Sequence, residues 1–152
     1  MRTWLHPLPV RVRPFVLDDT MACANLLVQG WRQARLRPAQ PVTADRFFVE
    51  TDGEVILVAS RGTKVLGFVS VFRPDAFVHH LYVARSAQGQ GIGRMLLTAA
   101  CRLSSSRATL KCALGNRDAR AFYAHLGWTE VEVGDDPTDG PWVRIAAPFS
   151  QY

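Results

Sequence analysis

Residues 76–93 read AFVHHLYVARSAQGQGIG and run directly into RMLLTAACRL. The segment Phe77–Val83 is apolar and rich in β-branched and aromatic residues, which predicts a buried strand. From Ile92 onward the apolar residues fall at Ile92, Met95, Leu96, Ala99, Ala100 and Leu103, one stripe of an α-helix. Between strand and helix, Gln88-Gly89-Gln90-Gly91-Ile92-Gly93 places glycine at alternate positions where the helix begins. A helix start exposes unpaired backbone N–H groups at the positive end of the helix dipole, and glycine removes side chains that would keep an anion away. The junction therefore predicts a cradle for phosphate or pyrophosphate.

Two common cradles are excluded. The Rossmann pattern G-x-G-x-x-G fails because its last position is Arg94 counting from Gly89 and Leu96 counting from Gly91. A Walker loop fails because no Gly-Lys-Ser/Thr follows. What remains, Gln88, Gly91 and Gly93 in Gln/Arg-x-x-Gly-x-Gly/Ala, resembles the signature of the GCN5-related N-acetyltransferases (GNAT superfamily). The resemblance implies that Gln88, Gly89, Gln90, Gly91, Ile92 and Gly93, with Arg94 in the first helical turn, hold the pyrophosphate of acetyl-coenzyme A.

The composition bounds the rest. A chain of 152 residues, 48% hydrophobic and 20% charged, predicts one ordinary globular domain spanning 1–152 with a proper core. No apolar run is long enough to span a bilayer, and the N-terminus lacks the apolar stretch of a secretory signal, so the expected location is cytoplasmic, away from membranes. The three cysteines, Cys23, Cys101 and Cys112, have no metal-ligand spacing, and an odd count argues against a disulfide framework. No metal is expected. The formal charge of +5 rests almost wholly on arginines, since Lys64 and Lys111 are the only lysines. The arginines are scattered without a run, which reads as a solvated surface and gives no support for a nucleic-acid partner.

In chain order, residues 1–9 read as a tail interrupted by Pro7 and Pro9. Val10–Phe15 predicts a first strand. Asp18-Asp19-Thr20 offers an N-cap for a helix whose face is Cys23, Leu26, Leu27, Gly30, Trp31 and Ala34, ended by Pro38 and Pro41. Thr43 caps a short helix through Glu50. Asp52-Gly53 is a turn, and Val55–Arg61 and Lys64–Arg73 form a hairpin about Gly62-Thr63. After the central unit come a strand Ala108–Ala113 and a helix capped by Asn116 with a stripe of Ala119, Phe122, Tyr123 and Leu126. Strands Trp128–Val133 and Trp142–Ala146 then flank an acidic loop Gly134–Pro141. The order predicts an α/β (α+β) domain with a mixed central sheet of about seven strands and helices on both faces.

A second signature follows the first. Asn116-x-x-Ala119-x-x-Phe122-Tyr123-x-x-x-Gly127-Trp128 resembles the C-terminal GNAT segment, with Trp128 in its final aromatic place. The resemblance implies the GNAT fold and an N-acetyltransferase that moves the acetyl group of acetyl-CoA onto a primary amine of a small molecule or protein by direct attack. It further implies that Leu81, Tyr82 and Val83 bind the acyl-pantetheine arm through their backbone, that Asn116 contacts the same arm, and that Tyr123 is the proton donor to the departing thiolate. A free phenol titrates about 1.5 units above a thiol, so full proton transfer from Tyr123 is uphill by about 2 kcal/mol and hydrogen-bond stabilisation of the sulfur is the expected role.

An alkylammonium must also lose a proton before it attacks. Many relatives use a strand glutamate, and none is present here. Strand alternation predicts Asp75, Phe77, His79 and Leu81 on one face and His80 on the other. His79 is the candidate base, with Glu50, Asp75 or a water chain as alternatives. Trp31, Arg35, Phe47 and Phe48 are candidate walls of the acceptor pocket, and Asp135, Asp136 and Asp139 could favour a cationic acceptor. A non-catalytic acyl-CoA-binding module on the same fold is the alternative reading. The sequence leaves open whether the chain pairs as a homodimer.

Overall fold

The computed structural model describes residues 7–34 and 43–149. In chain order these form β1 (Val10–Pro14), α1 (Thr20–Ala34), α2 (Ala44–Glu50), β2 (Val55–Arg61), β3 (Lys64–Phe72), β4 (Phe77–Val83), α3 (Ile92–Leu103), β5 (Thr109–Ala113), α4 (Arg117–His125), β6 (Thr129–Asp136) and β7 (Gly140–Ala146). The strands make one seven-stranded sheet in the order β1-β2-β3-β4-β5-β7-β6. Among the described residues only β4 and β5 pair in parallel, and α3 supplies the crossover that a parallel pair requires. Arg35, Pro38 and Pro41 lie outside the described residues, as do residues 1–6 of the expected tail.

The central strands carry side chains into two layers, with a bulge at Leu66 breaking strict alternation in β3. Leu66, Val69 and Val71 of β3 pack with Ile92, Leu96, Leu97 and Ala100 of α3 and Tyr123 of α4. Phe68 points the other way, toward Cys23, Leu27 and Trp31 of α1 and Phe47 of α2. Phe47 and Phe68 are fully buried and meet edge to face, ring centroids 5.7 Å apart. Burial of each such ring contributes about 1.5–3 kcal/mol. The expected mixed sheet with helices on both faces is therefore present.

Local expectations hold where the chemistry is local. Thr43 caps α2 by accepting from the Arg46 amide at 3.0 Å, and Asn116 caps α4 by accepting from the Ala119 amide at 3.1 Å. The cap expected from Asp18-Asp19-Thr20 is different. Leu17–Asp19 forms a 3₁₀ turn, and the Asp19 carboxylate turns back to the Val16 amide and to both terminal nitrogens of Arg13, at 2.7 and 2.9 Å. A bidentate guanidinium outcompetes a lone amide for an ionised carboxylate.

Other corrections come from tertiary packing. In α3 the buried stripe is Ile92, Leu96, Leu97, Ala100 and Cys101, whereas Met95 is 37% exposed. The helix is rotated so that Leu97 and Cys101 replace Met95 and Ala99. In α4 only Tyr123 of the expected stripe is buried. The acidic loop expected at Gly134–Pro141 is mostly strand: Asp135 pairs with Pro141 and Asp136 with Gly140. The Asp136 carboxylate closes the remaining turn by accepting from the Thr138 and Asp139 amides, and Gly140 takes the left-handed φ of 82°.

Candidate active site

The site begins where β4 leaves β5. The two strands pair only at Phe77–Thr109 and Val78–Leu110. Beyond that point β5 continues along β7, through Lys111–Arg144, Cys112–Val143 and Ala113–Trp142. β4 continues along β3, through His80–Ser70, Leu81–Val69, Tyr82–Phe68 and Val83–Gly67. The strands part, and among the described residues the edge of β4 from His79 to Val83 has no strand beside it on that side. Unpaired backbone N–H and C=O groups along an opened sheet are binding groups for an extended amide-bearing chain.

The far end of β4 leads to the glycine turn. Gly89 and Gly91 both have φ of 80°, the left-handed region that favours glycine, and a Cβ at either would meet nothing within 4 Å. Gln88 donates its amide to Arg85 O at 3.4 Å, and the first bond into α3 runs from Met95 N to Gly91 O at 3.1 Å. None of the amides from Gly89 to Arg94 donates to another described residue. Donors, dipole and open space coincide, so the turn fits a pyrophosphate. Gly93 serves differently: a Cβ there would lie 2.9 Å from the Phe122 ring, so this glycine allows α3 and α4 to approach.

The remaining loop side chains have separate places. Ile92 is 1% exposed and belongs to the core, leaving only its amide for the loop. Gln88 Nε2 donates to Val83 O at 3.3 Å, and Arg61 donates to Gln90 Oε1 at 3.2 Å. Arg94 is exposed beside the loop, and its side chain lines a small cavity between α3 and α4.

Tyr123 stands under the opening. Its ring packs between Phe122, at 5.2 Å, and Trp128, at 6.0 Å. The side chain is 9% exposed. Its hydroxyl makes no hydrogen bond to another described residue. Burial, and then the proximity of Cys112 and Tyr82, push its pKa well above that of an ordinary phenol. The hydroxyl is thus a durable hydrogen-bond donor, and full transfer of its proton is even less favourable than in water.

His79 and His80 do not alternate as the strand period predicts. Register shifts between Ser70 and Val71, so that His80 pairs with Ser70, Val78 pairs with Val71, and His79 is the extra residue of a β-bulge. The bulge re-aims His79: the His79 and His80 rings stack at 3.9 Å with planes 31° apart. His79 therefore shares no face with Leu81, which packs into the α3 layer. Its Nδ1 lies 2.5 Å from Glu54 Oε2. His80 Nε2 donates to Glu50 O at 3.2 Å, and burial, reinforced by the neighbouring His79, lowers its pKa to about 4. Donor atoms of Glu54, His79 and His80 all lie within 4.8 Å of one another.

These histidines form one wall of a cleft of about 280 Å³ between β4 and the β6–β7 hairpin, completed by Trp31, Glu50, Tyr82, Asp136, Asp139 and Trp142. Lys111 and Cys112 lie on its floor. Trp31 is placed there as expected, but Phe47 is core, and Phe48 and Asp135 are not on the cleft wall. Asp75 ends a 3₁₀ turn before β4 and is likewise off the cleft. Glu54, Lys111 and Trp142 were not singled out from the sequence, because nothing local distinguishes them from turn, surface and strand residues. Among the described residues no helix is long and apolar enough to cross a membrane.

None of the curated protein sequences matches the chain. A GCN5-related N-acetyltransferase structure from Rhodopseudomonas palustris superposes with a TM-score of 0.70 at 19% identity, covering 95% of this chain and 96% of that one. The ribosomal-protein-S18-alanine N-acetyltransferase of Escherichia coli gives 0.66 at 18% identity, over 92% and 94%. A spermidine N-acetyltransferase chimera from Vibrio cholerae and hSSAT gives 0.66 at 18% identity, over 94% and 98%. At these identities the superpositions establish the fold. The model of the acetyltransferase (GNAT) family matches residues 20–128, most of the chain, and the protein therefore belongs to that family.

Proposed function

We propose that the protein is an N-acetyltransferase that transfers the acetyl group of acetyl-CoA directly to a primary amine. The observation that carries this reading is the opened sheet: β4 and β5 part after Val78, the turn at Gly89–Gly93 lies at one end of the opening, and the acidic cleft lies at the other. Acetyl-CoA supplies an activated acetyl thioester. The free amides of the turn bind its pyrophosphate, and the unpaired edge of Leu81, Tyr82 and Val83 binds the pantetheine amides. The Tyr123 hydroxyl, held by burial as a neutral phenol, donates a hydrogen bond to the departing sulfur. His79 accepts the proton of the incoming amine.

The cleft supports a cationic acceptor. Asp136 and Asp139 set two carboxylates against the ammonium of Lys111, with Glu50 ion-paired to Arg46 at 3.0 Å, beside the rings of Trp31 and Trp142. Carboxylates with aromatic faces attract alkylammonium groups. Lys111 Nζ sits 4.0 Å over the Trp142 ring and the Arg46 guanidinium lies 5.5 Å from the Trp31 ring centroid, so both indoles already face cations. Spermidine and an alanine of ribosomal protein S18, the acceptors named for two of the similar structures, both offer an amine.

The test is thiol release from acetyl-CoA with a panel of polyamines, aminoglycosides and peptide amines. Turnover with a cationic amine, lost in Tyr123→Phe, is expected. Coenzyme binding without turnover across the panel would favour the binding-module reading instead.

A further inference from the structure

We propose that Glu54 is the positioning residue for the base: its buried carboxylate holds His79 with the proton on Nδ1, leaving the Nε2 lone pair for the acceptor amine. The inference rests on the acetyltransferase reading of the cleft for its purpose, but not for its geometry. The Glu54 side chain is 5% exposed while that of His79 is 41% exposed. Glu54 Oε1 is buried without a hydrogen-bond partner, so the contact to His79 at 2.5 Å is the one that satisfies this carboxylate. An ionised carboxylate can only accept, which puts the proton on Nδ1. In a neutral imidazole the other nitrogen then carries the lone pair.

Three features make the pair a device rather than a surface contact. The β-bulge at His79 turns its ring out of the strand alternation and onto the cleft wall. His80 backs that ring on one side at 3.9 Å, its own Nε2 tied to Glu50 O. Glu54 sits at the mouth of β2, a rigid strand of the sheet, just before Val55. When the ammonium proton of the acceptor moves to Nε2, the amine nitrogen gains its lone pair and the imidazolium charge lies against the carboxylate. A buried carboxylate stabilises that charge and fixes the tautomer, as in serine-protease triads.

The same three side chains could be read as a metal site. The geometry argues against it. His79 Nδ1 is already engaged by Glu54 Oε2 and His80 Nε2 by Glu50 O, so a metal bound through either nitrogen would have to break that contact.

The experiment uses the full chain, ¹⁵N-labelled on histidine, without substrate at neutral pH. Long-range ¹H–¹⁵N spectra report the tautomer directly, and the expected result for His79 is Nδ1–H. In Glu54→Gln the side-chain carbonyl still accepts, so the tautomer is retained. In Glu54→Ala it relaxes toward Nε2–H. With an amine that turns over, kcat is expected to fall between about 10- and 100-fold in Glu54→Ala and less in Glu54→Gln, with the KM for acetyl-CoA unchanged. Circular dichroism verifies that both variants are folded. An Nε2–H tautomer in the parent protein overturns the proposal, as does unchanged kcat in folded Glu54→Ala. Micromolar zinc binding that requires all three side chains overturns it in favour of a metal site. If no amine in the panel is acetylated, the function proposed above fails while the tautomer still decides the pairing.

Discussion

The Cβ that Gly30 lacks would lie 1.9 Å from Cε1 of the Tyr82 ring and 2.0 Å from its Cδ1. Helix α1 can lie this close to β4 only because that position is bare. By helix propensity alone Gly30→Ala would stabilise the protein by about 1 kcal/mol. Overpacking costs about 1–3 kcal/mol, and here the contact is with an aromatic ring wedged between helix and strand, so the clash wins. The expected result is a net loss of up to about 2 kcal/mol in urea unfolding, with a weaker acceptor KM because Tyr82 is displaced into the cleft.

Gly91 and Gly93 belong to one motif but should fail for different reasons. Gly91→Ala forces a left-handed φ of 80° on alanine, at a cost of about 1–2 kcal/mol, with no neighbour to relieve it. Gly93→Ala meets the tip of Phe122, which is 36% exposed and can be removed. Adding Phe122→Ala is therefore expected to restore coenzyme affinity to Gly93→Ala and to leave Gly91→Ala unrepaired. Coenzyme titrations of the four proteins decide it; equal rescue of both would contradict these roles.

Tyr123→Phe removes a hydroxyl that no described residue holds. Stability is expected to change by less than about 0.5 kcal/mol, since no hydrogen bond is lost. If the hydroxyl serves the departing thiolate, kcat falls by about 10²-fold with the KM for acetyl-CoA unchanged. A variant that loses stability instead of turnover would make Tyr123 a packing residue.

His80 makes stability depend on pH. Its folded pKa is lowered from 6.5 to about 4, by burial first and by His79 second. In that interval the unfolded chain binds a proton that the folded chain refuses, so stability is full above pH 6.5 and is lost as the pH falls toward 4. The shift corresponds to about 3 kcal/mol. His80→Asn does not titrate, so the gap between the two proteins is expected to close by about that amount from pH 7 to pH 4 in urea unfolding. Parallel pH curves would show that His80 titrates normally.

Much of this was legible in the residues. Spacing located the strand, turn and helix at Phe77–Leu103, and side-chain chemistry located the caps at Thr43 and Asn116, because each depends on neighbours within a few positions. The faces of His79 and Leu81 were not legible, since the bulge that separates them is set by pairing with β3, not by β4 alone. Nor was the partnership of His79 with Glu54, residues 25 apart in sequence that meet only when β2, β3 and β4 assemble. The acidic loop was misread for a similar reason: Asp135 and Asp136 disfavour strands locally, yet pairing with Pro141 and Gly140 extends the hairpin through them.

Calorimetric titration of the full chain with coenzyme A addresses the central claim most directly, that the free amides of Gly89–Arg94 and the unpaired edge of β4 hold this molecule. Saturable one-to-one binding is expected, with a dissociation constant between about 1 μM and 1 mM, weakened at least tenfold in a folded Gly91→Val variant. No heat of association at millimolar coenzyme A, or equal affinity in that variant, would contradict it.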